Sequence, residues 1–385
     1  MTQHLRAAAD RLQHWIQDAA LPLWTSRGIN PQNHANYERL LPDGLVDFTA
    51  STRVRVQSRQ IFFYAAAYER GWCPQGKDIA LNMMQFILAE AKHPSAKAGF
   101  SHLFDPNWKL VEHKQDLYDH AFHLLALGWS YRISKNADYL LEAKKVIAHL
   151  DEQFGAVNGG WTEGDYDYAC RRQNPHMHLF EAFMALYEAS GDGAFLARAS
   201  EMFGLFQAHF FDENQQVLFE FFQDDWQLLE GKKGQQVEPG HMMEWVWLVD
   251  WYSRLTGRPV TKYADALYNN GMAKGISTSG LVYDAITPNG EIMDGNKRCW
   301  GITELIKASL VQIRYGHRDA ETVACEAVDD LFKYYLCAST PGSYVDQRGI
   351  NDEIVVDTAP ASSLYHIIVA AMELQDHFAV HTNSK

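Results

Sequence analysis

The stretch 188-EASGDGAFLARASEM-202 carries an apolar helical pattern into a Ser-Gly-Asp-Gly break and resumes it directly afterwards, so one helix hands over to the next within a few residues. Four other stretches share this form: 69-ERGWCPQGKDIALNM-83, 132-RISKNADYLLEA-143, 254-RLTGRPVTKYADAL-267 and 313-IRYGHRDAETVACEA-327. Markers at Gly76, Asn136, Asp192, Arg258 and Arg318 lie 60, 56, 66 and 60 residues apart. A period near sixty holds two helices and a longer connection, a unit that builds a closed ring or an open stack.

Periodicity predicts helices over 3–19, 54–69, 77–92, 116–134, 138–154, 176–190, 194–209, 241–256, 260–274, 300–315, 319–336 and 364–379, six pairs if the first partners the last. Alternate members differ in character. Those beginning near 54, 116, 176, 241, 300 and 364 are rich in aromatic and small residues, as in AFHLLALGWSY, whereas their partners, such as YLLEAKKVIAHLDEQ, carry the charge of an outer layer. The expected fold is all-α, an (α/α)6 barrel in one domain over residues 1–385, with an open solenoid as the alternative. The segments QVLFEFFQDDW, SGLVYDAITPNGEIMD and GSYVDQRG read as short β-hairpins at one end.

Composition narrows the partners. A net charge of −14 without clustered Lys and Arg argues against nucleic acid and anionic membrane, and no apolar run approaches the ~20 residues of a membrane span. The five cysteines, Cys73, Cys170, Cys299, Cys325 and Cys337, show no CxxC spacing and fit reduced thiols. The N-terminal segment reads as an amphipathic helix interrupted by charges, not as a signal peptide, so the expected address is cytoplasmic. A small molecule or another protein is left as the partner, and oligomeric state has no signature.

The early turns of the inner helices carry Arg59, Tyr118, His178, His241, Trp300 with Glu304, and His366, spaced by 59, 60, 63, 59 and 66 residues on the first member of each. A lone histidine in an apolar helix is more often a hydrogen-bonded core residue, a lone tryptophan more often core, and Arg59 could pair with Glu181 or Glu304. Six groups in one phase, however, would gather at one end of a ring of parallel helices. His178 with Glu181 and His241 with Glu244 share helix faces and raise the alternative of a metal centre, although such spacing serves equally to orient histidines or to hold hydroxyls. No nucleophile elbow, phosphate loop or dinucleotide fingerprint stands in the chain. Histidines, aromatics and carboxylates together suit proton transfer on a neutral polyhydroxylated substrate, with no cofactor expected.

The segments LYDHAF at 117–122, GGW at 159–161, NPHMHLFEAF at 174–183, EPGHMMEWVWLV at 238–249, CWGITELIKA at 299–308 and SSLYHI at 362–367 resemble the N-acylglucosamine 2-epimerase superfamily, and within it the aldose–ketose isomerases acting on mannose. The resemblance implies an (α/α)6 barrel and metal-free proton transfer by His241 and His366. It assigns His178 to sugar binding and ring opening, Asn174 and Glu244 to hydroxyls, and Tyr118 and Trp300 to the pocket wall. The family's arginine falls at Arg59, with Arg55 a competing assignment. The disaccharide 2-epimerases of this superfamily place a tryptophan just ahead of the last histidine, where Ala359–Leu364 offers no aromatic ring; the N-acetylglucosamine epimerases lack the histidine at His178. Both departures point to a free monosaccharide, D-mannose and D-fructose being the expected pair, interconverted through a cis-enediol.

Three alternatives stay open, one of them a non-catalytic sugar-binding or regulatory protein, which would need the aromatics but not three aligned histidines. A 2-epimerase shares the intermediate but needs acid/base groups on both faces of C2. A glycoside hydrolase on the same barrel would need two carboxylates, for which Glu163, Asp165 and Asp167 in WTEGDYDY are candidates. At His241 the partial positive charge of a helix N-terminus favours neutral imidazole while Glu244 favours the cation, so its state is left undecided.

Overall fold

Gly191 ends one helix in the left-handed conformation, φ 72°, and Asp192 caps the next by accepting a hydrogen bond from Ala194 N at 3.0 Å. The same device recurs at Lys135 and Asn136, where Lys135 takes φ 59° and Asn136 accepts from Asp138 N at 3.0 Å. Each such cap is worth about 1 kcal/mol. Together they fix a tight reversal between an inner helix and its outer partner.

In the computed structural model, which describes residues 2–95 and 98–382, these reversals organise twelve helices. The outer ones are α1 (Thr2–Trp15), α3 (Gly76–Glu90), α5 (Ala137–Phe154), α7 (Gly193–Leu205), α9 (Thr261–Gly275) and α11 (Asp319–Asp330). The inner ones are α2 (Val54–Glu69), α4 (Leu117–Ser134), α6 (Gln173–Ser190), α8 (Pro239–Thr256), α10 (Cys299–Arg314) and α12 (Leu364–Thr382). Three outer helices run on through wide turns, α1 as far as Gly28, α7 through Phe206–Phe210 and α11 through Leu331–Tyr335.

Burial separates the layers. On α2 every residue from Val56 to Ala67 is buried, and on α4 the same holds from Asp119 to Ser130, because an inner helix meets neighbours on all sides. The outer α5 buries only one stripe, with Tyr139, Ala143, Val146, Ile147 and Leu150 on it. Each inner helix packs on the next, and α12 closes on α2, so the arrangement is a ring and the open solenoid is excluded. The N-terminal α1 packs against α11 and α12, as the pairing of first with last requires.

Six small antiparallel sheets lie where the outer helices lead back to the inner ones. Four of them involve the residues just ahead of an inner helix: Thr52–Arg53 pairs with Leu103–Phe104, Arg171–Arg172 with Phe221–Phe222, Lys297–Arg298 with Gln347–Arg348, and Ala359–Pro360 with Arg39–Leu40. The last pair stitches the seam of the ring. All six inner helices thus start at the hairpin end, and their first turns face one another.

Candidate active site

Those first turns enclose a cavity of about 360 Å³. Arg59 enters from α2, Tyr118 from α4, Asn174 and His178 from α6, His241 and Glu244 from α8, Trp300 from α10 and His366 from α12. Eight of the nine residues nominated from sequence therefore line one space. The ninth, Glu304, is wholly buried and is not among the residues lining the cavity; its carboxylate meets His366 Nδ1 and Lys307 Nζ.

The Pro239-Gly240 start of α8 has a steric purpose. A Cβ at Gly240 would lie 2.5 Å from the Trp300 ring, so only glycine lets that indole lie against the first turn of α8. Trp300 thereby comes between the two histidines, its ring centroid 5.1 Å from that of His241 and 5.7 Å from that of His366.

The two imidazoles have opposite electrostatics. Burial alone would depress His241, but Glu220 Oε2 stands 3.0 Å from its Nδ1 and Glu238 Oε2 3.5 Å away, and these carboxylates, with Glu244, push it up to about 10. They outweigh the helix terminus, which decides the question the sequence left open in favour of imidazolium. Gln173 steadies the arrangement, donating to Glu220 Oε2 at 2.9 Å while its carbonyl accepts from Trp245 Nε1 at 2.8 Å. Neither Glu220, on the hairpin ahead of α8, nor Glu238, its N-cap, was singled out from sequence; the one available signal was Glu238 three residues before His241, the usual reach of one helical turn.

His366 is held low instead. Burial comes first, and Arg59, Lys307, His178 and His241 add positive surroundings, so its imidazole is neutral. Its Nδ1 lies 2.8 Å from Glu304 Oε1, leaving Nε2 for the cavity if Nδ1 carries the proton. His178, pushed down to about 3 mainly by burial, contacts Glu181 Oε2 through Nδ1 at 3.2 Å, and Tyr365 donates to the other Glu181 oxygen. Environments that drive two histidines apart at one site are how a fold assigns an acid and a base.

Two sequence ambiguities meet the geometry here. Arg59 donates to Tyr118 Oη at 2.6 Å and lies over Phe122; Arg55 is committed to Asp119, Nη1 to Oδ1, at 2.7 Å. The hydrolase candidates do not converge: Glu163 is buried and held by the backbone N–H of Arg172 at 2.7 Å, and Asp165 accepts from Gln115 N at 2.6 Å, neither lining the cavity. Unused hydrogen-bonding capacity remains instead on three wall residues, since Arg59 Nε, Asn174 Oδ1 and Glu244 Oε1 are buried without a protein partner.

Three groups of carboxylate and imidazole atoms lie close enough for a cation: His178, Glu181 and Glu244; Glu220, Glu238 and His241; and Glu244, Glu304 and His366. Their donors are largely engaged, Glu304 by His366 and Lys307, Glu181 by Tyr365 and His178, Glu220 by His241 and Gln173. An imidazolium at His241 and a lysine beside Glu304 also oppose a dication electrostatically, so the residues do not form a good metal cage.

This barrel and site define an enzyme of the sugar isomerase and epimerase type. The chain belongs to the N-acylglucosamine 2-epimerase family, whose sequence profile, described as N-acylglucosamine 2-epimerase (GlcNAc 2-epimerase), matches residues 36–370. It is 30% identical over 385 residues to a protein named mannose-6-phosphate isomerase from Rhizobium meliloti (strain 1021), covering 98% of each chain. It is 26% identical over 263 residues to a D-mannose isomerase from Thermobifida fusca, covering 62% of this chain and 63% of that one. The solved structure of cellobiose 2-epimerase from Bacillus thermoamylovorans B4167 superposes with a TM-score of 0.86 at 20% identity over 96% of this chain and 99% of that one, a likeness of fold. Among the described residues no helix is long and apolar enough to cross a membrane.

Proposed function

We propose that this barrel, acting as one catalytic domain, interconverts a free aldose and its ketose, D-mannose and D-fructose above all, by proton transfer through a cis-enediol. The observation that carries the reading is the pair of imidazoles flanking Trp300, His241 pushed up to about 10 and His366 pushed well down. After ring opening, neutral His366 takes the C2 proton while imidazolium His241 gives its proton to O1. The C2–H bond breaks, O1–H forms, and the enediol results. His241 then removes the O2 proton as His366 returns a proton to C1, which yields the ketose with both histidines in their starting states. Each general acid/base step of this kind is worth ~10²–10⁴-fold. Arg59 Nε and Glu244 Oε1 are free to meet sugar hydroxyls.

The name of the Rhizobium relative raises a phosphorylated substrate, and four arginines, Arg53, Arg55, Arg59 and Arg298, do line the cavity. Three are already neutralised: Arg53 by Glu38, Arg55 by Asp119, and Arg298 by Asp284 and Glu238. Only Arg59 lacks a carboxylate partner, and it contacts Tyr118. That balance supports a neutral sugar over a sugar phosphate. The five free cysteines fit a reducing cytoplasm.

A 2-epimerase is the second reading, favoured by acid/base groups on both sides of Trp300. Incubation with mannose, mannose 6-phosphate and glucose in heavy water, followed by NMR, tests both. Fructose forming from mannose supports the isomerase; glucose appearing before fructose supports the epimerase. No exchange on any of the three sugars would end the proton-transfer reading, and His366→Ala should abolish exchange while leaving the melting curve in place.

A further inference from the structure

Beneath the cavity floor lies a lysine that the mechanism above does not use. Lys307 is wholly buried, its Nζ 2.6 Å from Glu304 Oε2 and 3.9 Å from the centre of the Trp247 ring. A buried ammonium of this kind needs a partner, and Glu304 three residues earlier on α10 is that partner. The other oxygen of Glu304 lies 2.8 Å from His366 Nδ1. Lys307, Glu304 and His366 thus form one line, ending at the imidazole that faces the cavity.

The chemistry of that line turns on which way the Glu304 to His366 hydrogen bond runs. With Glu304 anionic it accepts, the proton sits on His366 Nδ1, and Nε2 is a free base. With Glu304 protonated it can donate to Nδ1, the proton moves to Nε2, and the base is blocked. The surroundings favour the second arrangement. Burial raises Glu304, and Glu244 from α8 and Glu181 from α6 add to the effect. Against them stands the charge of Lys307, paired with Oε2, which opposes the rise without cancelling it. The remaining charged or titratable groups around His366 are Arg59 from α2, His178 from α6 and His241 from α8, with Tyr365 beside it on α12.

We propose that Lys307 is a positioning residue that never meets the sugar: by pairing with Glu304 it keeps that carboxylate an acceptor, and so keeps the proton on His366 Nδ1 and the Nε2 lone pair in the cavity. The inference rests on the reading of His366 as the base, and it is the reason a cation is tolerated at the bottom of an apolar ring of helices.

The test is a cycle of Lys307→Met, Glu304→Gln and the double variant, read by kcat, KM, the pH profile and the ¹⁵N shifts of His366. Lys307→Met should lower kcat at least tenfold with KM within about threefold of the parent. The acid limb of kcat/KM should move little, because protonation of Glu304 removes an anion beside His366 as the cation of Lys307 is lost. In the ¹⁵N spectrum the His366 proton should pass from Nδ1 towards Nε2. Since Lys307 acts through Glu304, the double variant should be no slower than Glu304→Gln alone. Wild-type kcat and an unshifted tautomer in Lys307→Met would overturn the proposal, as would losses that simply add in the double variant. If Lys307→Met does not fold, Lys307→Gln, which keeps a donor without the charge, takes its place, and the uncharged double variant leaves no orphan ion to unfold it. The ¹⁵N measurement needs no substrate, so a protein inactive on every aldose would refute the reaction while this assignment is still decided.

Discussion

Glu220 Oε2 lies 3.0 Å from His241 Nδ1, joining a hairpin residue to the first turn of α8 across a sequence gap of 21 residues. This contact, more than the helix terminus, keeps the imidazole protonated. It also links stability to pH. His241 rises from an ordinary 6.5 to about 10 on folding, so its contribution is complete below pH 6.5 and fades as the pH climbs through about 10. That contribution is on the order of a few kcal/mol.

Glu220→Gln should therefore pull the alkaline limb of kcat/KM down from the region of pH 10 by a unit or more, since the proposed reaction needs His241 protonated and Glu238 and Glu244 without Glu220 hold it less firmly. The acid limb, set by His366, should stay below the ordinary imidazole value in both proteins. The difference in unfolding free energy between variant and parent should shrink from pH 7 to pH 11, measured by urea titration. An alkaline limb that does not move would show that Glu220 does not set the charge of His241.

Arg55 and Arg59 sit one helical turn apart and should fail in different ways. Arg55→Met strands Asp119, a buried carboxylate that its guanidinium and His102 hold below the usual range, so a loss of about 3–5 kcal/mol in stability is expected with KM little changed in the folded fraction. Arg59→Met leaves no carboxylate unpaired and keeps a stem over Phe122, so stability should change by less than ~1 kcal/mol. Its cost should fall on kcat/KM, about ten- to hundredfold, the worth of a charged hydrogen bond. Kinetics and urea unfolding on the two variants separate the roles; the reverse pattern would make Arg55 the sugar-binding arginine.

Exhaustive chelation should leave kcat and KM within error of the untreated enzyme. Most of the candidate donor groups are engaged in hydrogen bonds or ion pairs and adjoin Lys307 and an imidazolium, so the proton transfers are expected to run on side chains alone. Loss of activity on dialysis against a chelator, with recovery on adding back one divalent metal, would return the His-x-x-Glu spacing to its metal reading.

The helices and the phase of their polar residues were legible because both are periodic: a ring of parallel inner helices repeats its inward-facing position about every sixty residues, and Arg59, Tyr118, His178, His241, Trp300 and His366 keep that beat. Glu220 was not legible. It lies in QVLFEFFQDDW, where alternation reveals a hairpin but not which helix the hairpin lies over. Lys307 was not singled out, because a lysine three positions after a glutamate reads as an ordinary ion pair along a helix, and only the closed ring shows that this pair is wholly buried. Glu304 keeps the beat too but lies behind His366, because periodicity reports the helix face and not the depth along the axis.

Gly240 offers the sharpest steric test of the site. In an ordinary helix Gly→Ala is stabilising by roughly 0.5–1 kcal/mol. Here the new methyl would sit 2.5 Å from two carbons of the Trp300 indole, so the ring or the first turn of α8 must shift, and overpacking of this kind typically costs about 1–3 kcal/mol. Because Trp300 lies between His241 and His366, the same shift should disturb both imidazoles and lower kcat/KM at least tenfold. Shrinking the ring should relieve the clash, so Gly240→Ala with Trp300→Phe is expected to recover the melting temperature of Trp300→Phe alone. A Gly240→Ala protein that melts higher than the parent and turns over at the parent rate would mean that the Pro-Gly start of α8 has no steric part in the site.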